Sequence, residues 1–184
     1  MEIVRTLLND LLLLRPRIPA EAGRALAIDR AALVQVGIVQ PFVQDNHSRS
    51  TRDVLRGLHY QIQHPQGKLV RVIRGEIFDV MVDLRLDSPT FGRCADLHLV
   101  AEDGLLLWIP PGYAHGFQVL SAQADFLYSV TDYRYPEHER TLLWSDPTLA
   151  IPWPRTDTPP ILSPKDEQGI PLAETVVMLE AQGR

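Results

Sequence analysis

Three polar stretches interrupt an otherwise apolar chain, and they carry the side chains best suited to proton chemistry. One runs Val43-Gln44-Asp45-Asn46-His47-Ser48 and continues to Leu55-Arg56-Gly57-Leu58-His59-Tyr60-Gln61. The others are Gln66-Gly67-Lys68-Leu69-Val70-Arg71-Val72 and Trp108-Ile109-Pro110-Pro111-Gly112-Tyr113-Ala114-His115-Gly116-Phe117. An imidazole titrates near about 6.5, the range a general base needs at neutral pH, so His59 is a candidate base. Taken alone, a single histidine in an apolar strand is more often a satisfied structural residue. A phenol is a neutral proton donor at neutral pH, which makes Tyr128 a candidate acid; a core aromatic is its plainer reading. Tyr133 and Tyr135, in the turn that follows, compete with it. Lys68 would alternate with Val70 and Val72, and a lysine buried there is costly unless it meets a developing negative charge.

The elements that must position these groups are mostly strands. In Glu76–Leu86 the apolar Phe78, Val80, Val82, Leu84 and Leu86 alternate with Asp79, Asp83 and Arg85, a period of two that predicts a half-buried strand. Shorter β-rich runs cover Val54–Ile62, Lys68–Arg74, Asp96–Val100, Leu105–Ile109, Phe117–Leu120 and Asp125–Thr131. Turn chemistry such as His64-Pro65-Gln66-Gly67, Asp87-Ser88-Pro89 and Pro110-Pro111-Gly112 separates most of them. Many short strands at close spacing predict an all-β closed barrel or jelly roll. Asp29–Val36 reads as a short helix capped by Asp29. Prolines then accumulate at Pro147, Pro152, Pro154, Pro159, Pro160, Pro164 and Pro171, which predicts an irregular tail with a short helix over Pro171–Ala181.

The bulk properties narrow the class. A chain of 184 residues fits one domain with a real core, here divided into an N-terminal arm to about residue 40, a barrel over 41–154 and a tail over 155–184. Its net charge of -5 argues against nucleic acid as a partner. The single cysteine, Cys94, rules out an internal disulfide. The Leu11–Leu14 run is too short for a membrane span and lacks the flanks of a signal peptide, so a cytoplasmic protein is expected.

Together with Phe78-Asp79-Val80, Val82-Asp83-Leu84-Arg85, Ser88-Pro89-Thr90-Phe91-Gly92 and Trp144-Ser145-Asp146-Pro147, the three stretches resemble the dTDP-4-dehydrorhamnose 3,5-epimerase family. The likeness runs from about Phe42 to Pro154 and more loosely to Ser163-Pro164-Lys165-Asp166. It implies a cupin-type jelly-roll barrel that inverts carbons beside the ketone of a nucleotide-linked 4-keto-6-deoxy sugar. On that resemblance His59 is the base, Asp166 orients it, Tyr128 is the acid on the opposite face, and Lys68 stabilises the enolate. Gln44, Asn46, Arg56, His115, Glu139 and Lys165 are implied as substrate contacts, Arg56 for the diphosphate; Glu139 alone would read as a surface charge. Arg56 poses a geometric problem, because an ideal strand points it away from His59; a bulge at Gly57 would reconcile them.

The same resemblance implies a homodimer that trades N-terminal strands, and Glu2–Leu7 is compatible with this. Pro110-x-Gly112-x-x-His115 matches the second cupin motif, but the histidine pair and glutamate of the first motif are missing, so no metal or other cofactor is expected. The arm departs from the family pattern. Ala22 and Ala27 stand where an arginine and a glutamate usually hold the nucleotide, and Arg24 is the nearest substitute charge. This leaves room for another nucleotide, for inversion at one carbon, or for a non-catalytic sugar-nucleotide binder; a metal-dependent cupin is the remaining alternative.

Overall fold

The computed structural model describes residues 1–16 and 28–182; Ala22, Arg24 and Ala27 lie outside them. Two antiparallel sheets face each other. The first holds six strands: β1 (Glu2–Thr6), β2 (Leu12–Arg15), β3 (Gln44–Thr51), β5 (Lys68–Arg74), β8 (Leu106–Ile109) and β10 (Gln123–Val130), in the order β1-β2-β8-β5-β10-β3. The second holds five: β4 (Leu55–Gln61), β6 (Glu76–Asp83), β7 (Cys94–Val100), β9 (Tyr113–Val119) and β11 (Glu139–Thr141), in the order β11-β4-β9-β6-β7. Consecutive strands repeatedly cross between sheets, the connectivity of a jelly roll. The segment expected as an arm supplies β1 and β2, which extend the first sheet through β8.

Alternation along the strands sends one set of side chains between the sheets. Val70, Val72, Leu107, Ile109 and Phe126 from the first sheet meet Ile77, Met81, Leu99, Phe117 and Val119 from the second. The outer faces are covered too. Leu14, Leu69, Leu106 and Trp108 pack under α1 (Arg30–Gln35) and Ile38, while Leu58, Tyr60, Val80, Val82 and Leu142 pack under the tail through Leu149, Leu172 and Leu179.

The double cover corrects the expectation for Glu76–Leu86. The strand ends at Asp83 and is buried on both faces rather than half-buried, with Asp79 and Asp83 fully enclosed. Its polar face points into the barrel, where each carboxylate has partners. Asp79 meets His115, and Asp83 accepts from Arg85, Ser88 and Thr90. A period of two identifies two faces but does not say which one meets water.

Other elements match in place and differ in extent. The run expected at Phe117–Leu120 begins at Tyr113, directly after the Pro110-Pro111-Gly112 turn, so His115 lies on a strand. The polar stretch Val43–Ser48, which shows no strand periodicity, lies mostly on the edge strand β3 (Gln44–Thr51); that strand needs no apolar alternation because it pairs with β10 alone. Asp29 caps α1 as expected by accepting from the Ala31 amide at 2.9 Å. The tail adds α2 (Pro164–Glu167) and α3 (Leu172–Ala181); the latter occupies the span expected from the sequence.

Candidate active site

A cavity of about 900 Å³ opens between the sheets. Gln44, Asn46, Arg56, His59, Lys68, His115, Tyr128, Glu139 and Lys165 all line it, and Asp166 sits directly behind His59. Phe126, stacked on Phe117 at 4.8 Å and on His115 at 5.9 Å, gives the interior an apolar wall.

The local backbone explains how Arg56 and His59 reach the same space. The pairing of β4 with β9 shifts register between those two residues, the irregularity expected at Gly57. Gly57 has φ +112°, and a Cβ there would lie 2.6 Å from Cα of Gly116. Arg56 then turns to the cavity with its Nε donating to Ser50 Oγ at 3.1 Å. On the inner side His59 stands opposite His115 in the ladder.

The tail completes the surroundings of His59. Ser163 caps α2, Pro164 follows, and the Ser163 hydroxyl donates to Asp166 Oδ2 at 2.8 Å. Asp166 Oδ1 lies 2.5 Å from His59 Nε2. Burial opposes the charge of Asp166, but hydrogen bonds from His59, Ser163 and the Gly57 amide outweigh it and hold its carboxyl below the usual range. For His59, burial pushes the imidazole below its ordinary value, helped by the nearby Lys165 and Lys68 charges and opposed by Asp166. Neutral imidazole beside a firm carboxylate is the state a proton acceptor requires.

The opposite sheet carries the complementary groups. Burial raises the Tyr128 phenol above its ordinary value, so it stays protonated. Neither competitor reaches the cavity: Tyr133 is 55% exposed, and Tyr135 stacks on His64 at 4.4 Å. Lys68 enters from β5, two strands from the edge, and its Nζ donates to the His59 carbonyl at 3.4 Å. Burial pulls its ammonium down to about 8, against the attraction of Asp79 and Glu139.

Charged groups gather at the mouth. Glu139 is not the free surface charge its context suggests, for Lys165 Nζ and Arg134 Nη2 hold it at 2.7 and 2.6 Å. Arg134, Gln66 and Ser48 also line the cavity; Ser48 and Gln66 fall in the polar stretches without being singled out there, and nothing in the sequence marks Arg134. Asp79, the partner of His115 at 2.7 Å, was missed because it was placed on a solvent face. Among the described residues no three His, Cys, Asp or Glu side chains converge as metal ligands. No helix among them is long and apolar enough to cross a membrane.

Fold and site together define a class: a cupin-type jelly roll with an imidazole on one sheet and a phenol on the other, both facing one cavity. Comparison with known proteins gives the family. The sequence profile of dTDP-4-dehydrorhamnose 3,5-epimerase matches residues 6–174. The enzyme of that name from Pseudomonas aeruginosa is 51% identical over 178 residues, covering 95% of this chain and 97% of its own. The Escherichia coli K12 enzyme of the same name is 43% identical, with 96% and 97% covered. A crystal structure of a dTDP-6-deoxy-D-glucose-3,5-epimerase from Legionella pneumophila, in complex with dTDP-4-keto-L-rhamnose, is 48% identical with a TM-score of 0.87, covering 95% of this chain and 96% of that one. The chain belongs to the dTDP-4-dehydrorhamnose 3,5-epimerase family and is an isomerase of the epimerase type.

Proposed function

We propose that the chain epimerises C3 and C5 of dTDP-4-dehydro-6-deoxy-D-glucose, giving dTDP-4-dehydro-L-rhamnose. The observation that carries this reading is the placement of His59 and Tyr128 on facing sheets around one cavity. A carboxylate can only accept, so the His59 Nε2–H donates to Asp166 and Nδ1 keeps the lone pair that takes the proton. Loss of a proton beside the ketone puts negative charge on the C4 oxygen, and the Lys68 ammonium is the donor that stabilises it. The Tyr128 phenol then returns a proton from the other face, which inverts the carbon. Arg56 and Lys165 bind the diphosphate; Gln44 and Asn46 bind the nucleotide, and His115 and Glu139 contact the sugar. The same proposal includes a single-domain, cytoplasmic protein that works as a homodimer with exchanged N-terminal strands.

The test is proton exchange in D2O with this substrate. Deuterium at C3 and C5 is the expected result, and no exchange there would overturn the reading. Exchange at C3 alone would reduce it to inversion at one carbon. His59→Asn abolishes exchange with the fold intact, whereas Tyr128→Phe permits exchange while impairing inversion; general acid–base groups typically contribute about 10²–10⁴-fold. Exchange at the wild-type rate in His59→Asn would remove His59 from the base position.

A further inference from the structure

Lys68 and Lys165 are the only lysines in a chain with 18 basic residues, and both line the cavity. Everywhere else the chain uses arginine. An amine inside a barrel needs a compensating charge, because an isolated buried ammonium loses its proton. Asp79 is the residue placed to provide it. It projects inward from β6 in the sheet facing β5 and is fully buried. Its Oδ1 takes the hydrogen bond from His115 Nε2 at 2.7 Å, while Oδ2 is buried with no hydrogen-bond partner among the described residues. A buried carboxylate oxygen without a partner is costly and calls for an explanation.

We propose that Asp79 is a positioning residue of the epimerase site, the fixed negative charge that keeps Lys68 an ammonium ion within the barrel. The inference rests on the reading of Lys68 as the enolate-stabilising group.

The other groups facing Lys68 do not serve this purpose. His59 on β4 offers only its carbonyl, at 3.4 Å. Tyr128, on the adjacent β10, is a protonated phenol. Lys165 on α2 repels, and Asp166 beside it is committed to His59 and Ser163. Glu139 on β11 attracts, but both its oxygens are already bonded, to Lys165 and to Arg134. Among the described residues facing Lys68, Asp79 alone brings an uncommitted oxygen, and its attraction is the largest opposing the burial that brings Lys68 to about 8. The cation form exists below that midpoint, so an alkaline limit of turnover lies there. Removing the carboxylate moves the limit to lower pH.

With only two lysines the experiment is direct. Protein labelled with 13C at the lysine ε carbon gives two resonances, assigned through Lys165→Arg, and each is titrated in wild type and in Asp79→Asn. The asparagine keeps an acceptor for His115 and removes only the charge. The expected result is a fall of about one to three pH units in the Lys68 midpoint, the usual reach of a neighbouring opposite charge. The alkaline limb of deuterium exchange moves by the same amount, in kcat far more than in KM. A Lys68 midpoint unmoved in folded Asp79→Asn overturns the proposal. Should that variant not fold, Lys68→Met probes the coupling from the other side: the resonance of the 13C-labelled Asp79 carboxyl at neutral pH moves from its wild-type position, and an unmoved resonance is equally fatal. The midpoints do not depend on turnover, so a failure of the epimerase reading itself, seen as no exchange in wild type, is scored separately.

Discussion

Two histidine–carboxylate pairs stand side by side on neighbouring strands of one sheet, and they are built in different ways. His115 and Asp79 come from β9 and β6, adjacent in the ladder, and are almost wholly buried, with side chains 7% and 0% exposed. His59 comes from β4, but its partner arrives from the tail, 107 residues later, and the His59 side chain remains 28% exposed. The first pair forms whenever the sheet forms. The second requires the tail to dock, which it does through the bridges Val54–Ile161 and Leu142–Ile170 and through Asp146 accepting from the Leu172 amide at 2.6 Å. A pair fixed by the sheet suits a static charge. One assembled late at an open cavity suits a group that exchanges protons with a substrate.

The sharpest way to break this comparison is Asp166→Asn. Removing the charge that orients a catalytic imidazole costs up to about 10⁴-fold in the triad enzymes, and a loss of about 10²–10⁴-fold in exchange rate is expected here with the barrel intact. As the proposed base, His59 acts above its own pKa, which burial already holds below about 6.5, so the acid limb of the wild-type profile is expected below that value. Asp166 opposes that depression, so its loss moves the limb further toward acid while the plateau falls. A limb that moved upward would refute the assignment. An effect no larger than that of Asp79→Asn would erase the distinction between the pairs.

A second variant strikes the junction between them. Gly57 and Gly116 bring β4 and β9 close enough for the register shift, and a methyl on Gly57 would lie 2.6 Å from the Gly116 Cα at a φ of +112°. Gly57→Ala should cost about 1–3 kcal/mol from the backbone conformation alone, measured by denaturant unfolding. It should also lower exchange, since the shift is what brings Arg56 and His59 to the same cavity. Stability lost with activity kept would mean that the two residues reach the cavity by another route.

The contrast also explains what was legible in the sequence. His59, Lys68 and Tyr128 sit on strands with recognisable β pattern, so residue type made them candidates, but only the family resemblance gave them roles. The spacing of strands and turns predicted a closed barrel or jelly roll, and the family resemblance chose between them. Asp166 was different: no local rule ties a Ser-Pro-Lys-Asp turn to a histidine 107 residues earlier, and only the family resemblance indicated it. Asp79 was lost because alternation does not reveal which face the tail will cover. β3 was lost because a one-sided edge strand made of Gln, Asp, Asn, His, Ser and Arg lacks the apolar rhythm that marks a strand. Arg56 shows the opposite case, since a geometric contradiction in the sequence correctly indicated an irregularity at Gly57.

The smallest effect tests how finely the tail tunes the exposed pair. Ser163 both caps α2 and donates its hydroxyl to Asp166, so Ser163→Ala removes one of several hydrogen bonds that hold that carboxyl below its usual range. Loss of a serine cap costs about 0.5–2 kcal/mol. The depressed carboxyl contributes stability above its unfolded pKa of about 3.9, and that contribution disappears as pH falls through the folded value. The wild-type advantage from this bond is therefore full at neutral pH and shrinks in acid, while the loss of the cap to the Asp166 amide persists at any pH. Unfolding curves of both proteins at neutral pH and near pH 3 separate the two parts. A difference that grew on acidification would mean that Ser163 is not supporting the charged form of Asp166. Exchange should fall only modestly, because His59 still donates to Asp166, and the Gly57 amide still helps hold the carboxylate in place.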